Sequence, residues 1–233
     1  MQIRRIIALS GTTFALVLTP LLTTTALAAA NQVSVRVEGK SRTLLSTKTV
    51  GTPSGSGSFT IDRTPAGACP KSSAAGALDA ATAHRWGGTY STSFNELELT
   101  TILGEKWSFT SPDYWSVWVN NRYASAGLCQ LKLHKGDQLL LAAVPDKGSE
   151  YPLAIEAPGH ATAGRPFAVK VVDYPKGVAK PLAGAHLSGS GLNAVTNSRG
   201  VVSVTVKRAG TIVLHADRQG DIRAAAVRMR VSG

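Results

Sequence analysis

Short apolar–polar alternations, each closed by Gly, Pro, Asn or Asp, recur from Val33 to Val231. A period of two marks a strand with one buried face, so such a chain is restricted to a mainly β fold wherever helical periods are absent. One segment breaks the rule. Over Ser72 to His84, Ala74, Ala75, Ala77, Leu78 and Ala81 fall at helical spacing. The small side chains predict a helix packed closely on a sheet. Around it, Val33–Val37, Arg42–Val50, Thr92–Leu103, Tyr114–Val119, Arg122–Ala124 and Gln138–Val144 read as strands, and Gly51–Phe59 as a loop. Asn120-Asn121 fits a tight hairpin turn, because Asn tolerates positive φ. Further on, Leu153–Ala157, Phe167–Val172, Ala185–Leu187, Val201–Val206, Thr211–Ala216 and Ala225–Val231 are strand candidates with no helix between them. That pattern predicts a β-sandwich. The expected fold is therefore mainly β: an α+β sheet domain with one helix over residues 31–145, then a sandwich over 151–233. The turn-rich Pro145-Asp146-Lys147-Gly148-Ser149 reads as the linker.

The first thirty residues read as an export signal. Arg4 and Arg5 precede a largely apolar run from Ile6 to Leu22, and small residues near Ala28 and Ala30 suit a cleavage site. Pro20 interrupts the run, which argues against a membrane anchor, and no later apolar run reaches spanning length. The expected product is secreted or held at the cell envelope, without a transmembrane anchor. In an oxidising compartment the two cysteines, Cys69 and Cys129, are expected to pair. No CxxC spacing supports a redox role. Cys69 would then tie the helix entry to a later strand.

The net charge of +11 comes from scarce acids rather than dense bases, with charged residues at 17%. It is also uneven. Residues 31–150 carry 12 bases and 10 acids, whereas residues 151–233 carry 11 bases and 4 acids. Arg228 and Arg230 project from one strand face, and with Arg223 they form a candidate basic face. Such a face suits anionic envelope polymers or lipid headgroups, while solvated charge for solubility is the plainer account. Nucleic acid is not expected, since export removes the usual partner and aromatic interleaving is missing.

Residues 33–144 resemble the transcobalamin-like C-terminal domain family of bacterial secreted and surface proteins. The resemblance is carried by Ser73-Ala74-Ala75-Gly76-Ala77-Leu78, Ile102-Leu103-Gly104-Glu105, Tyr114-Trp115-Ser116-Val117-Trp118-Val119-Asn120, Ala126-Gly127-Leu128-Cys129 and Leu133-His134-Lys135-Gly136-Asp137-Gln138-Leu139. It implies an α+β sheet domain. In the vitamin carriers a related domain closes over cobalamin with a helical partner domain; that helical domain has no counterpart here, so cobalamin binding does not carry over. Asn120-Asn121 replaces the family's usual Asn-Gly, which is compatible with the same turn. Residues 151–233 resemble bacterial immunoglobulin-like or carboxypeptidase-regulatory-like modules through Gly164-Arg165-Pro166-Phe167, Pro181-Leu182-Ala183-Gly184-Ala185 and Thr196-Asn197-Ser198-Arg199-Gly200. Such modules space, present or bind, and the likeness implies an immunoglobulin-like sandwich.

All four tryptophans, Trp86, Trp107, Trp115 and Trp118, lie in one third of the chain. Strand alternation sends Trp115, Val117 and Val119 to one face and Tyr114, Ser116, Trp118 and Asn120 to the other. If the second face is open, it presents aromatic rings to a sugar, a planar ligand or a partner. If the helix covers it, both faces are core. Trp86, Tyr114, Trp118 and Asn120 are accordingly the candidate ligand-binding residues. Glu96 and Glu98 share a strand face and read as solvated, although that spacing also suits Ca²⁺ or acid–base work. The five histidines are scattered, with no HxH or HxxxH spacing and no pairing with cysteine, so no metal site is expected. No Gly-x-Ser-x-Gly elbow occurs, and Gly39-Lys40-Ser41 lacks the upstream glycine of a phosphate loop. No catalytic residue or cofactor is assigned. The expected function is non-enzymatic binding or adhesion toward an envelope polymer, a surface protein or a small planar ligand. The alternative is a corrinoid-like or carbohydrate ligand held by the aromatic hairpin.

Overall fold

The computed structural model describes residues 31–108, 110–146 and 150–233. The expected signal peptide, and Lys147–Ser149 of the expected linker, lie outside them. The described chain is mainly β with one α-helix. No described helix is long and apolar enough to cross a membrane.

The N-terminal half begins with β1 (Gln32–Glu38) and β2 (Thr43–Gly51), then α1 (Ala74–Thr82). A meander follows: β3 (Trp86–Ser91), β4 (Glu96–Ile102) and β5 (Glu105–Lys106). The half closes with β6 (Asp113–Val119), β7 (Arg122–Tyr123) and β8 (Gln138–Pro145). The main sheet has the order β2-β1-β8-β6-β7, in which β1 and β8 are parallel and the other pairs antiparallel. Strand β3 was not legible in the sequence, and residues 92–95, expected as strand, form the turn between β3 and β4. Gly88 explains why β3 is glycine-rich. A Cβ there would lie 2.2 Å from the Glu98 carbonyl oxygen, beside the irregular register at Gly87/Gly88.

One face of the main sheet carries Val33, Val35, Val37, Trp115, Leu139, Leu141 and Ala143. These residues pack against Ala74, Ala77 and Leu78 of the helix and Leu97, Leu99 and Ile102 of the meander. The alanines let the helix approach the strands closely. For the opposite face two readings stand, an open platform or a core face under the helix; the face is buried, but by a different element. It is not a free platform, and the helix does not cover it. Trp118, Leu140, Ala142 and Val144 pack there against Ile222 of the C-terminal half.

The C-terminal half contains β9 (Leu153–Glu156), β10 (His160–Thr162), β11 (Pro166–Asp173), β12 (Lys180–Pro181), β13 (His186–Gly189), β14 (Leu192–Val195), β15 (Val201–Thr205), β16 (Gly210–Asp217) and β17 (Val227–Ser232). One sheet runs β10-β17-β16-β13-β14; in the other, β11 pairs β9, β12 and β15. Their inner faces meet through Leu153, Val169, Val171, Leu187, Val204, Leu214 and Met229. This is a two-sheet sandwich, as the alternation predicts. The strands absent from the sequence reading, β10, β12 and β14, are two to four residues long.

Candidate functional site

Strand β6 organises the candidate site. It pairs with β8 over its full length, Asp113 to Val119, and turns at Asn120-Asn121 into β7. Asn120 and Asn121 have φ of 52° and 61°, the two positive values that a type I′ hairpin requires. Asn120, a candidate ligand residue, also bonds within the fold. Its Oδ1 accepts the Gln138 N–H at 2.9 Å and its Nδ2 donates to Asp137 Oδ1 at 2.8 Å, which locks the hairpin to the turn before β8.

Two surfaces meet at β6, and a third lies across the sheet on β1. The first is a groove of about 550 Å³ along the edge of β6, between it and β4. Its floor includes Leu97, Leu99, Trp115 and Val117, and residues 124–128 form a wall. Phe94 and Tyr123 stand at its mouth, 73% and 56% exposed. Trp115 is only 7% exposed, and its indole Nε1 has no hydrogen-bond partner. A buried donor left unpaired is costly, and this one is closed off from solvent beneath the groove floor. Glu96 also lines the groove. Burial pushes its carboxyl above the usual carboxylate range, against the backbone N–H groups of Leu97 and Cys129. Gly127 admits it, since a Cβ there would sit 2.3 Å from the Glu96 carboxyl carbon. Glu96 and Glu98, expected on a solvated face, both line this groove and are half-buried.

The second surface is the junction with the C-terminal half. Tyr114, Trp118, Tyr123, Tyr151 and Tyr174 surround a cavity of about 170 Å³, with Glu150 and Lys176 at its rim. Trp118 is 3% exposed and meets Tyr123 edge-on at 5.4 Å between ring centroids. It acts as an anchor between the halves rather than as an open stacking ring. Tyr151 and Tyr174 were not singled out in the sequence, because they come from the other half.

The third is an ion cluster at the same junction. Glu38, on the polar positions of β1, is 2% exposed. Its Oε1 accepts from Arg36 Nη1 at 2.7 Å and its Oε2 from Arg223 Nε at 3.0 Å. Arg36 also donates to the Arg223 carbonyl at 2.7 Å, and Arg223 Nη2 donates to the Gly39 carbonyl. Burial pulls the Arg36 guanidinium down, opposed by Glu38. Arg223 therefore leaves the candidate basic face: its charge is spent on Glu38. Arg228 and Arg230 remain exposed on β17, where Arg230 pairs in register with His160 of β10 and Thr211 of β16. Beside the ion cluster, Lys40, Glu150, Asp221 and Arg223 line a cleft of about 730 Å³. Burial raises the carboxyls of Glu150 and Asp221 there.

Trp86 stands apart from all three surfaces. Its Nε1 donates to Asp79 Oδ1 at 2.8 Å and its ring meets Phe59 edge-on, so it secures the helix to β3. Cys69 and Cys129 form a disulfide. Cys129 lies in the turn after Leu128 rather than in a strand, so the bridge ties the helix entry to the groove wall. Among the described residues no group of three His, Cys, Asp or Glu is placed to hold a metal ion.

No protein-family model matches the chain, and no curated protein matches it. The transcobalamin-like resemblance of residues 33–144 thus gains no support from known families. Among solved structures, the D00-D0 domain of Intimin aligns with 57% of this chain and 90% of its own length, at 14% identity and a TM-score of 0.23. A score that low carries no argument.

Proposed function

We propose that this protein is an exported, non-enzymatic binding or adhesion protein whose partner occupies the groove between β4 and β6. The observation that carries the reading is the groove itself, an apolar lane floored by Leu97, Leu99, Trp115 and Val117 and flanked by exposed Phe94 and Tyr123. An apolar groove with a few placed polar groups is the usual form of a binding site. The disulfide fits an oxidising compartment. The test is a titration of intrinsic Trp fluorescence and binding heat with cell-wall oligosaccharides, cobalamin and short peptides. Ala126→Phe, which fills the groove without adding a tryptophan, is the control. Binding lost in that variant supports the reading; binding retained undiminished sinks it.

A second reading concerns the outer face of β17. Exposed Arg228 and Arg230, with His160 beside them, favour contact with an anionic envelope polymer. It predicts salt-sensitive retention on such a polymer.

A further inference from the structure

We propose that the groove takes an extended, cationic peptide segment, which adds as a strand to the open edge of β6. This rests on the reading of the groove as the binding site and names its partner.

Strand β7 pairs only with Trp118 and Val119 of β6. Ala124 extends the contact by one bond, its N–H donating to the Val117 carbonyl at 2.9 Å. Past Ala124 the chain turns away into the groove wall, and no described strand continues along β6. In an antiparallel strand, alternate residues direct both backbone groups to the same edge. Val117 bonds toward the β7 side, so Trp115 and Asp113 present their N–H and C=O groups there too. Among the described residues the uncovered edge, Asp113 to Ser116, is about 14 Å long at strand rise, enough for a four-residue strand. Opposite, β5 pairs only with Thr101 and Ile102, so Leu97 and Leu99 of β4 face the same lane without a covering strand.

Such an edge is a template for strand addition, in which backbone bonds supply affinity and alternate side chains supply selectivity. The side chains here define the partner. Apolar residues at alternate positions meet Leu97, Leu99 and Trp115. Charge decides the rest. On a chain of net charge +11, the groove is lined by Glu96 and Glu98 and by no Lys, Arg or His. A lysine- or arginine-bearing strand is complementary; an acidic one is repelled.

The test uses the full chain and a capped heptapeptide, Lys-Val-Thr-Val-Lys-Val-Lys, against its counterpart with Glu at every Lys. Two further versions are N-methylated at alternate residues, one in each register. The lysine peptide is expected to bind at least tenfold more tightly than the glutamate peptide. One N-methyl register should abolish binding and the other leave it intact. Hydrogen exchange should slow at the Trp115 amide. Glu96→Gln should narrow the gap between the two charged peptides, and Ala126→Phe should remove binding. Equal binding of the two charged peptides overturns the proposal, as does equal loss in both N-methyl registers. If no peptide binds but an oligosaccharide or cobalamin does, and Ala126→Phe blocks it, the peptide partner is wrong and the groove stands. If nothing binds, both readings fall.

Discussion

Arg223 reaches back across 185 residues of sequence to set its Nε 3.0 Å from Glu38 Oε2. Glu38 closes β1, which lies between β2 and β8 in the N-terminal sheet, and is nearly inaccessible. Removing the arginine leaves that carboxylate with Arg36 and Thr43. Truncating one partner of a buried, hydrogen-bonded charge pair is costly, and partial exposure of Arg223 tempers the loss to about 1–3 kcal/mol. Arg223→Ala is expected to lower the urea midpoint and to raise protease sensitivity between the halves. An unchanged midpoint would show that the ion cluster does not hold them together.

The disulfide closes a loop with a sequence separation of 60. On the chain-entropy account that stabilises by about 4 kcal/mol. Cys69→Ala with Cys129→Ala should therefore lose roughly that much in a denaturant titration. The double variant should also weaken any groove ligand, since Cys129 adjoins Leu128 of the groove wall.

Burial raises the Glu96 carboxyl in the folded protein. A group whose folded value lies above its unfolded value holds its proton more tightly when folded. Its contribution is then favourable at low pH and is lost as pH rises through the raised value. Glu96→Gln is expected to melt higher than the parent at pH 7, with the difference vanishing below the ordinary glutamate value of about 4.3. A variant that melts lower at neutral pH would contradict this sign.

Trp118 is buried between Leu140, Val144 and Ile222. Trp118→Ala should cost about 3–5 kcal/mol, the range for truncating a buried large aromatic. Its signature is a separation of the unfolding transitions of the two halves by calorimetry. A single sharp transition at the parent temperature would show that the anchor is dispensable.

The basic face gives a sharper contrast now that Arg223 is assigned to the ion cluster. Arg228→Glu with Arg230→Glu should abolish salt-sensitive retention on an anionic wall polymer while leaving the melting temperature within a few degrees, because both side chains are exposed. Retention that survives the charge swap removes this face from consideration.

Local chemistry made much of the fold legible. The period-two runs placed six strands of the sandwich, because each buries one face and solvates the other. Asn120-Asn121 marked its turn because both residues must take positive φ. The alanine-rich segment marked the helix. Four elements escaped for local reasons: β5, β10, β12 and β14 are too short to show a period. Strand β3 contains Gly87 and Gly88, which carry no side chain to pattern, and its glycine at 88 is dictated by a close approach of β4.

The sequence held one signal about the buried second face. Leu139 to Val144 is apolar at every position, and a strand apolar on both sides is covered on both sides. What covers β8 was not legible. Arg36 and Glu38 are the charged residues of β1, and both bond Arg223, from the far end of the chain. Glu96 looked solvated until Gly127 and the groove wall closed over it. By itself the sequence determined the β character, the helix, the hairpin turn and the two cysteines, since each rests on nearest neighbours and spacing. Tertiary structure decided which faces meet. It made Trp118 an anchor and left the edge of β6 open, because burial depends on residues brought together from opposite ends of the chain.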